Sequence, residues 1–333
     1  MYLYSNVNYI CTNKKKSKIF SEIFLFILCS FLAFIFAYRE LFFPELMGYD
    51  YYDYINWFNH RTFENMNFQY KNFGFDLLIC ICKSVSTDYH LFLFVCGFIC
   101  CFFILKFIKN NSSSFVMSFT LLITMYYFSI FNGMRQYMAC SIFLGGFNLI
   151  KDKHMWKYFI IVIIASLFHD SAILLLLLYP LLNINREKKY KDMILAIGGV
   201  LAFIFFNAII SFLLNTSELF GLGYSTKYEN VSLGYQVGNF TNLIITIGIY
   251  IIIKLKKDNK DEKQDIDIYV NYLILAIIFS LLSTTSFVFN RLNIYFSPSI
   301  LICMPLASNI FLKRYRLIFN IFIIIVYVYT FLF

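Results

Sequence analysis

Three short stretches place ionisable side chains among apolar residues. Arg135 lies in FNGMRQYMA, His169 and Asp170 lie in ASLFHDSAI, and Arg291 lies in FVFNRLNIYF. Neither arginine has an acidic residue within four positions. A guanidinium offers a planar fork of donors matched to phosphate or carboxylate oxygens. An imidazole titrates near neutral pH, so His169 suits a general base or a further anion contact. Two arginines, Gln136 beside the first of them, and a histidine therefore suit an anionic ligand. A second group lies in GYDYYDYINWF, where Asp50 and Asp53 stand three apart on one face of a helix. Either carboxylate is an alternative base, with Tyr51 and Tyr54, and the later Tyr295, as contacts to a sugar.

Each of these has a plainer explanation. An arginine at the end of a span is most often an interfacial anchor, which is the expectation for Arg39, Arg61 and Lys227. A lone histidine on an apolar face is most often a satisfied core residue. The tyrosines and Trp57 also fit an aromatic belt at a membrane surface. The surroundings decide how much weight the chemistry carries.

Those surroundings are a membrane. The chain has 333 residues, of which 60% are hydrophobic, 21% aromatic and 14% charged, with a mean hydropathy of +0.69. Soluble domains carry about a quarter charged residues, and 42 Phe with 26 Tyr exceed what a water-soluble globule of this size can bury. Eight of the nine Cys lie in apolar runs and read as small buried hydrophobes, with Cys11 apart from them. No P-loop, GxGxxG, HExxH or Cys/His cluster of metal-ligand spacing occurs, so neither a metal nor a cofactor is expected.

A span needs about 20 apolar residues. Candidates are 19–38, 90–108, 115–131, 134–150, 193–214, 241–255, 268–288, 294–312 and 317–333. Residues 73–86 and 158–182 are ambiguous, and the positive-inside rule decides both. If 73–86 does not cross and 158–182 is a hairpin of two short helices, only Arg39, Arg61, Lys71, Lys83, Arg135, Lys227 and Arg291 lie outside. The other 21 of the 28 Lys and Arg then lie in cytoplasmic loops. Letting 73–86 cross puts most of that charge outside. The expected fold is an all-α polytopic membrane protein of about eleven transmembrane helices, within a range of ten to twelve. It forms one integral membrane domain over 1–333, N-terminus inside. Outer segments cover 39–89, with a short or re-entrant helix at 73–86, and 215–240. The net charge of +9 then sets orientation, and nucleic acid is not an expected partner.

The hairpin at His169 is short. Each arm has about twelve residues, roughly 19 Å of helix against a hydrocarbon core of about 30 Å. Its turn should stop inside the membrane, where bare backbone is tolerated only in packed protein or beside a water-filled cavity. A cavity open to the outside, with His169 at its floor, would admit the head group of a lipid-linked ligand while the tail lies between helices.

The order MRQYMA, KDKHMWKYF, then ASLFHDSAILLLLLYPL resembles the EpsG family of membrane proteins, associated with Wzy-type polymerisation of exopolysaccharide and O-antigen. GYDYYDYINWF and the late NRLNIYF fit the same order over about 40–310. One departure is KNFGFDLL, where the resemblance implies a Glu before the Gly-aromatic pair and this chain has Asn72 and Phe73, leaving Asp76 as a weak substitute. The resemblance implies a glycosyltransferase of the bacterial inner membrane that joins undecaprenyl-diphosphate-linked oligosaccharide repeat units on the outer face. Arg135 and Arg291 would hold a diphosphate, His169 would be the base, and a chain-length regulator protein would be a partner beside membrane lipid.

Rival readings are an O-antigen ligase and a flippase or transporter of lipid-linked oligosaccharide. A ligase would carry its main outer loop late, whereas the longest outer segment here comes early. The cavity itself is testable: a cysteine at position 169, on a cysteine-free background, should react with a membrane-impermeant thiol reagent from outside. Labelling only from the cytoplasmic side would invert the orientation.

Overall fold

A computed structural model of the chain describes residues 2–46, 48, 50–66, 72–183, 237–255, 263–284 and 287–332. Every regular element among the described residues is helical. They fall into two compact units: residues 1–110, 127–147 and 160–173 in one, and 111–126, 148–159 and 174–333 in the other.

In the first unit, helix α1 (Tyr2–Ala37) buries Leu25, Cys29, Leu32, Ala33 and Phe36, the spacing of one helix face. Phe20, Phe24 and Phe31 on the same helix stay more than half exposed. A helix of this length with an outward apolar face requires lipid around it. Ile19–Ala37, Tyr89–Asn111 and Asp265–Ser283 are long and apolar enough to cross a membrane. Shorter apolar helices cover Phe115–Phe131, Met155–Ser166, Asp170–Leu182, Phe240–Lys254 and Ser299–Ser308. The protein is a membrane protein. The expected span at 193–214 and residues 215–236 of the second outer segment lie outside the described residues.

The early segment 39–89 holds α2 (Arg39–Phe42), a 3-10 turn (Pro44–Leu46), α3 (Tyr51–His60) and α4 (Phe73–Val85). Lys83 closes the end of α3: its ammonium donates to the carbonyls of Phe58, Asn59 and Arg61 at 3.1, 2.6 and 3.3 Å. A cation there satisfies carbonyls that the last helical turn leaves open. Helix α5 (Tyr89–Asn111) packs on α1, where Gly97 faces the Phe36 ring so closely that a Cβ would lie 2.8 Å from it. Small residues of this kind let membrane helices approach. Eight cysteines are buried and free, as expected of small hydrophobes.

Helix α6 (Phe115–Leu121) continues in π winding (Leu122–Tyr127) and a 3-10 turn (Phe128–Phe131). The run expected at 134–150 divides into α7 (Met134–Gly145) and α8 (Asn148–Lys151). The long run 158–182 is broken at His169: α9 (Met155–Ser166) ends there, and a 3-10 segment (Asp170–Leu177) leads into α10 (Leu178–Leu182). The Tyr158 hydroxyl donates to the Leu175 carbonyl at 2.6 Å, so the chain folds back on itself.

In the second unit, α11 (Val237–Lys254), α12 (Lys263–Ser283), α13 (Phe287–Asn293), α14 (Ser299–Ser308) and α15 (Lys313–Leu332) follow. Buried polar groups meet backbone carbonyls: Asn271 donates to Leu182 at 2.7 Å and Ser118 to Leu301 at 2.6 Å. Lys151 ties α8 to α12 through Asp265 at 2.8 Å and the Tyr269 hydroxyl at 2.9 Å.

Gly74 is the tightest seat near the site. Its N–H donates to the Leu167 carbonyl at 2.9 Å, and an added Cβ would stand 2.9 Å from the Leu167 Cβ. Gly74→Ala should lower stability by about 1–3 kcal/mol through overpacking. The drop should appear in the thermal midpoint of the detergent-solubilised protein, with Gly248→Ala, which meets open space inside α11, as the control that shows no drop.

Candidate functional site

The site grows from the seat of α3 on the turn before α7. Gly48, at φ +87°, lets the backbone approach that turn, with its added Cβ position 3.0 Å from the Phe131 carbonyl oxygen. The Asp50 N–H donates to Asn132 Oδ1 at 3.3 Å, and the Tyr54 hydroxyl to the Asn132 carbonyl at 3.5 Å. This holds the first turn of α3 against the start of α7. Arg135, in the first turn of α7, consequently lies with its guanidinium 4.6 Å from the Trp57 ring centre and 6.0 Å from that of Phe75. Helix amide groups at this end of α7 add partial positive charge. Burial pushes the Tyr54 phenol up to about 12, against the pull of Arg135, which contacts the hydroxyl.

A carboxylate stands beside this arginine. Asp76, 3% exposed in α4, pairs with Arg61 Nη2 at 3.3 Å, and its other oxygen, Oδ1, is buried with no hydrogen-bond partner among the described residues. Asn72, at φ 64°, turns the chain into α4, and its carbonyl accepts from the N–H groups of Phe75 and Asp76 at 3.0 Å each. Asparagine tolerates this left-handed geometry. Burial raises the Asp76 carboxyl above its ordinary value, while Arg61 and then Arg135 pull it down. The contact of Gly74 with Leu167 sets this turn of α4 beside the chain leading to His169. The His169 ring is oriented by Ser171, with Nδ1 2.7 Å from the hydroxyl oxygen.

The expected site residues divide between the two units. Asp50, Asp53, Tyr51, Tyr54, Arg135, Gln136 and His169 belong to the first, and Arg291 and Tyr295 to the second. Arg291 is exposed in α13. Tyr295 is 1% exposed, and its carbonyl accepts from the Tyr272 hydroxyl. Tyr51 is 2% exposed, with its hydroxyl donating to Glu40 Oε2 at 2.9 Å, so its ring is packed inside the unit. Gln136 is buried within α7. Asp50 and Asp53 sit at the start of α3, where negative charge complements the helix dipole.

Three groups that composition alone did not single out stand out in space. Arg61 and the buried Asp76 form the pair just described. His90 is held between two carboxylates, with Nε2 2.7 Å from Glu40 and Nδ1 2.6 Å from Asp88. Tyr38 and Tyr89 stack on its ring at 4.4 and 4.1 Å. Burial would raise the Glu40 carboxyl, but hydrogen bonds from His90 and Tyr51 hold it below its usual range. Arg39, expected as an interfacial anchor, is instead fully buried, because aromatic side chains close over it. No single stretch of sequence signals these groupings, since their members come from separate elements.

The Asp76 shift carries a pH dependence. With its folded value raised, Asp76 favours the folded state when protonated, so its contribution falls as pH rises through the carboxylate range and beyond. Arg61→Ala removes the first of the two cations that oppose the shift, and should carry this loss to higher pH. Thermal midpoints measured against pH, relative to Asp76→Asn, should show the displacement; coincident profiles would refute it.

No curated protein and no solved structure matches the chain. A model of the EpsG family, a family of Wzy-like polymerases, matches residues 22–333. The chain belongs to the EpsG family.

Proposed function

We propose that this protein is a polysaccharide polymerase that joins undecaprenyl-diphosphate-linked oligosaccharide repeat units on the outer face of a bacterial inner membrane. Family membership suggests a polymerase-like role in exopolysaccharide or O-antigen assembly. The observation that carries the finer statement is the meeting of Arg135, Trp57, Arg61 and Asp76 in one patch of the first unit. A sugar diphosphate asks for these groups: guanidinium for the diphosphate, an aromatic surface for the sugar, and a carboxylate for a hydroxyl proton.

In this reading the acceptor hydroxyl oxygen attacks the anomeric carbon of the growing chain. The bond from that carbon to the lipid diphosphate breaks, and the diphosphate leaves with the electron pair. Arg135, with Arg61 behind it, stabilises the charge that develops on the leaving oxygens. Asp76 takes the hydroxyl proton through Oδ1, the oxygen that Arg61 does not engage. Burial gives it a higher proton affinity than a solvent-exposed carboxylate has. His169 is the second base, beside α4 through the Gly74–Leu167 contact. Arg291 remains a diphosphate contact on the evidence of its sequence setting.

The orientation rests on the basic residues: with the N-terminus in the cytoplasm, 21 of 28 face inward. Membrane lipid surrounds the protein, a lipid-linked oligosaccharide is its substrate, and a chain-length regulator is the protein partner it would meet.

Arg135→Ala should abolish long-chain polymer while single repeats still reach the final acceptor. Arg135→Lys, which keeps charge but loses the fork and the stacking plane, should restore at most short chains. Gel profiles of the glycan from strains expressing each variant at equal level decide it. Normal chain lengths with Arg135→Ala would remove Arg135 from the mechanism, and loss of all glycan from the acceptor would favour the ligase.

A further inference from the structure

Arg39 is 0% exposed, and all three of its guanidinium nitrogens are buried without a hydrogen-bond partner among the described residues. Glu40, next in the chain, turns to His90 and Tyr51 instead. What surrounds the Arg39 charge is aromatic: its guanidinium carbon lies 4.8 Å from the Phe36 ring centre, 4.6 Å from Tyr51 and 5.1 Å from Phe131. The attraction of a cation to ring faces strengthens when water is excluded. It does not replace the hydration of a guanidinium, so a buried charge held this way weighs against stability.

The three rings belong to different elements. Phe36 lies in the last turn of α1, Tyr51 is the first residue of α3, and Phe131 ends the 3-10 turn before α7. Trp57 lies six residues beyond Tyr51 on the same helix, and Arg135 lies four beyond Phe131. One cation thus touches both segments whose far ends make the Trp57–Arg135 contact.

We propose that Arg39 is a positioning residue of the site: its buried cation draws the faces of Tyr51 and Phe131 to one point and so sets where Trp57 meets Arg135. The role is specificity of packing, with stability spent to obtain it. Replacing a buried charge with an apolar side chain of similar volume is often neutral or stabilising. A residue that only held the fold together would behave in the opposite way.

The chain contains two tryptophans, Trp57 and Trp156, and Trp156 is 72% exposed. A Trp156→Phe background therefore makes Trp57 the sole indole reporter of the Arg135 contact. In that background Arg39→Met should shift the Trp57 emission in the same direction as Arg135→Ala, with a thermal midpoint equal to or above that of the parent. Arg39→Lys, which keeps the cation, should leave most of the parent emission in place. Phe131→Leu, which leaves Arg39 but removes one ring, should shift the emission as Arg39→Met does. Parent-like emission in Arg39→Met, a lowered midpoint in that variant, or equal shifts in the Lys and Met variants would each overturn the proposal. These readouts do not use a lipid diphosphate, so failure of the polymerase reading would leave them standing.

Discussion

Hydrocarbon offers no hydrogen bonds, and most of this structure follows from that. A polar group on a membrane helix is costly without a partner in the protein, and several buried ones here meet carbonyls: Tyr158 to Leu175, Asn271 to Leu182, Ser118 to Leu301. The same constraint explains why every regular element among the described residues is helical, since a helix satisfies its own backbone. It also explains where irregular backbone is allowed. The breaks at Gly146 and at Leu167–His169 occur where other chain segments pack against them, with Ile161 against Gly146 and Gly74 against Leu167.

Against that background the early stretch 39–90 brings charges of both signs together. Arg39, Glu40, Arg61, Asp76, Lys83, Asp88 and His90 lie within 52 residues. Packing assigns them different tasks. Lys83 closes a helix, and the Glu40–His90–Asp88 run joins α2 to the start of α5 beneath stacked tyrosines. Both ring nitrogens of His90 approach carboxylate oxygens, which only accept, so the geometry calls for an imidazolium. Arg61, half-buried, pairs with the buried Asp76, which keeps one oxygen uncommitted.

Trp57 and Arg135 show how such a site is assembled from weak contacts. No single hydrogen bond holds them; Gly48, two hydrogen bonds from α3 to Asn132 and the rings gathered around Arg39 act together. Cation–π contacts are worth about 0.5–2 kcal/mol each, so such a contact orients the arginine without locking it.

Much of the scaffold was legible in the sequence, because the properties that reveal it are local. The runs at 19–38, 90–108 and 268–288 are apolar over a bilayer's thickness, and helices of span length occupy them. The break at His169 was also legible, since the distribution of basic residues asks the run 158–182 to turn back on itself. Arg135 stood out as an arginine in apolar surroundings with no acid beside it. Other roles were settled only in the tertiary structure. Arg39 and Arg61 share the same kind of sequence setting, yet one is sealed among aromatic rings and the other pairs with Asp76. Tyr51 and Tyr52 are adjacent and identical in type, yet one is buried and the other 67% exposed. Sequence determined which residues could bear charge in a membrane; the packing of distant elements decided which charges were engaged, because partnership depends on distances that neither composition nor spacing contains.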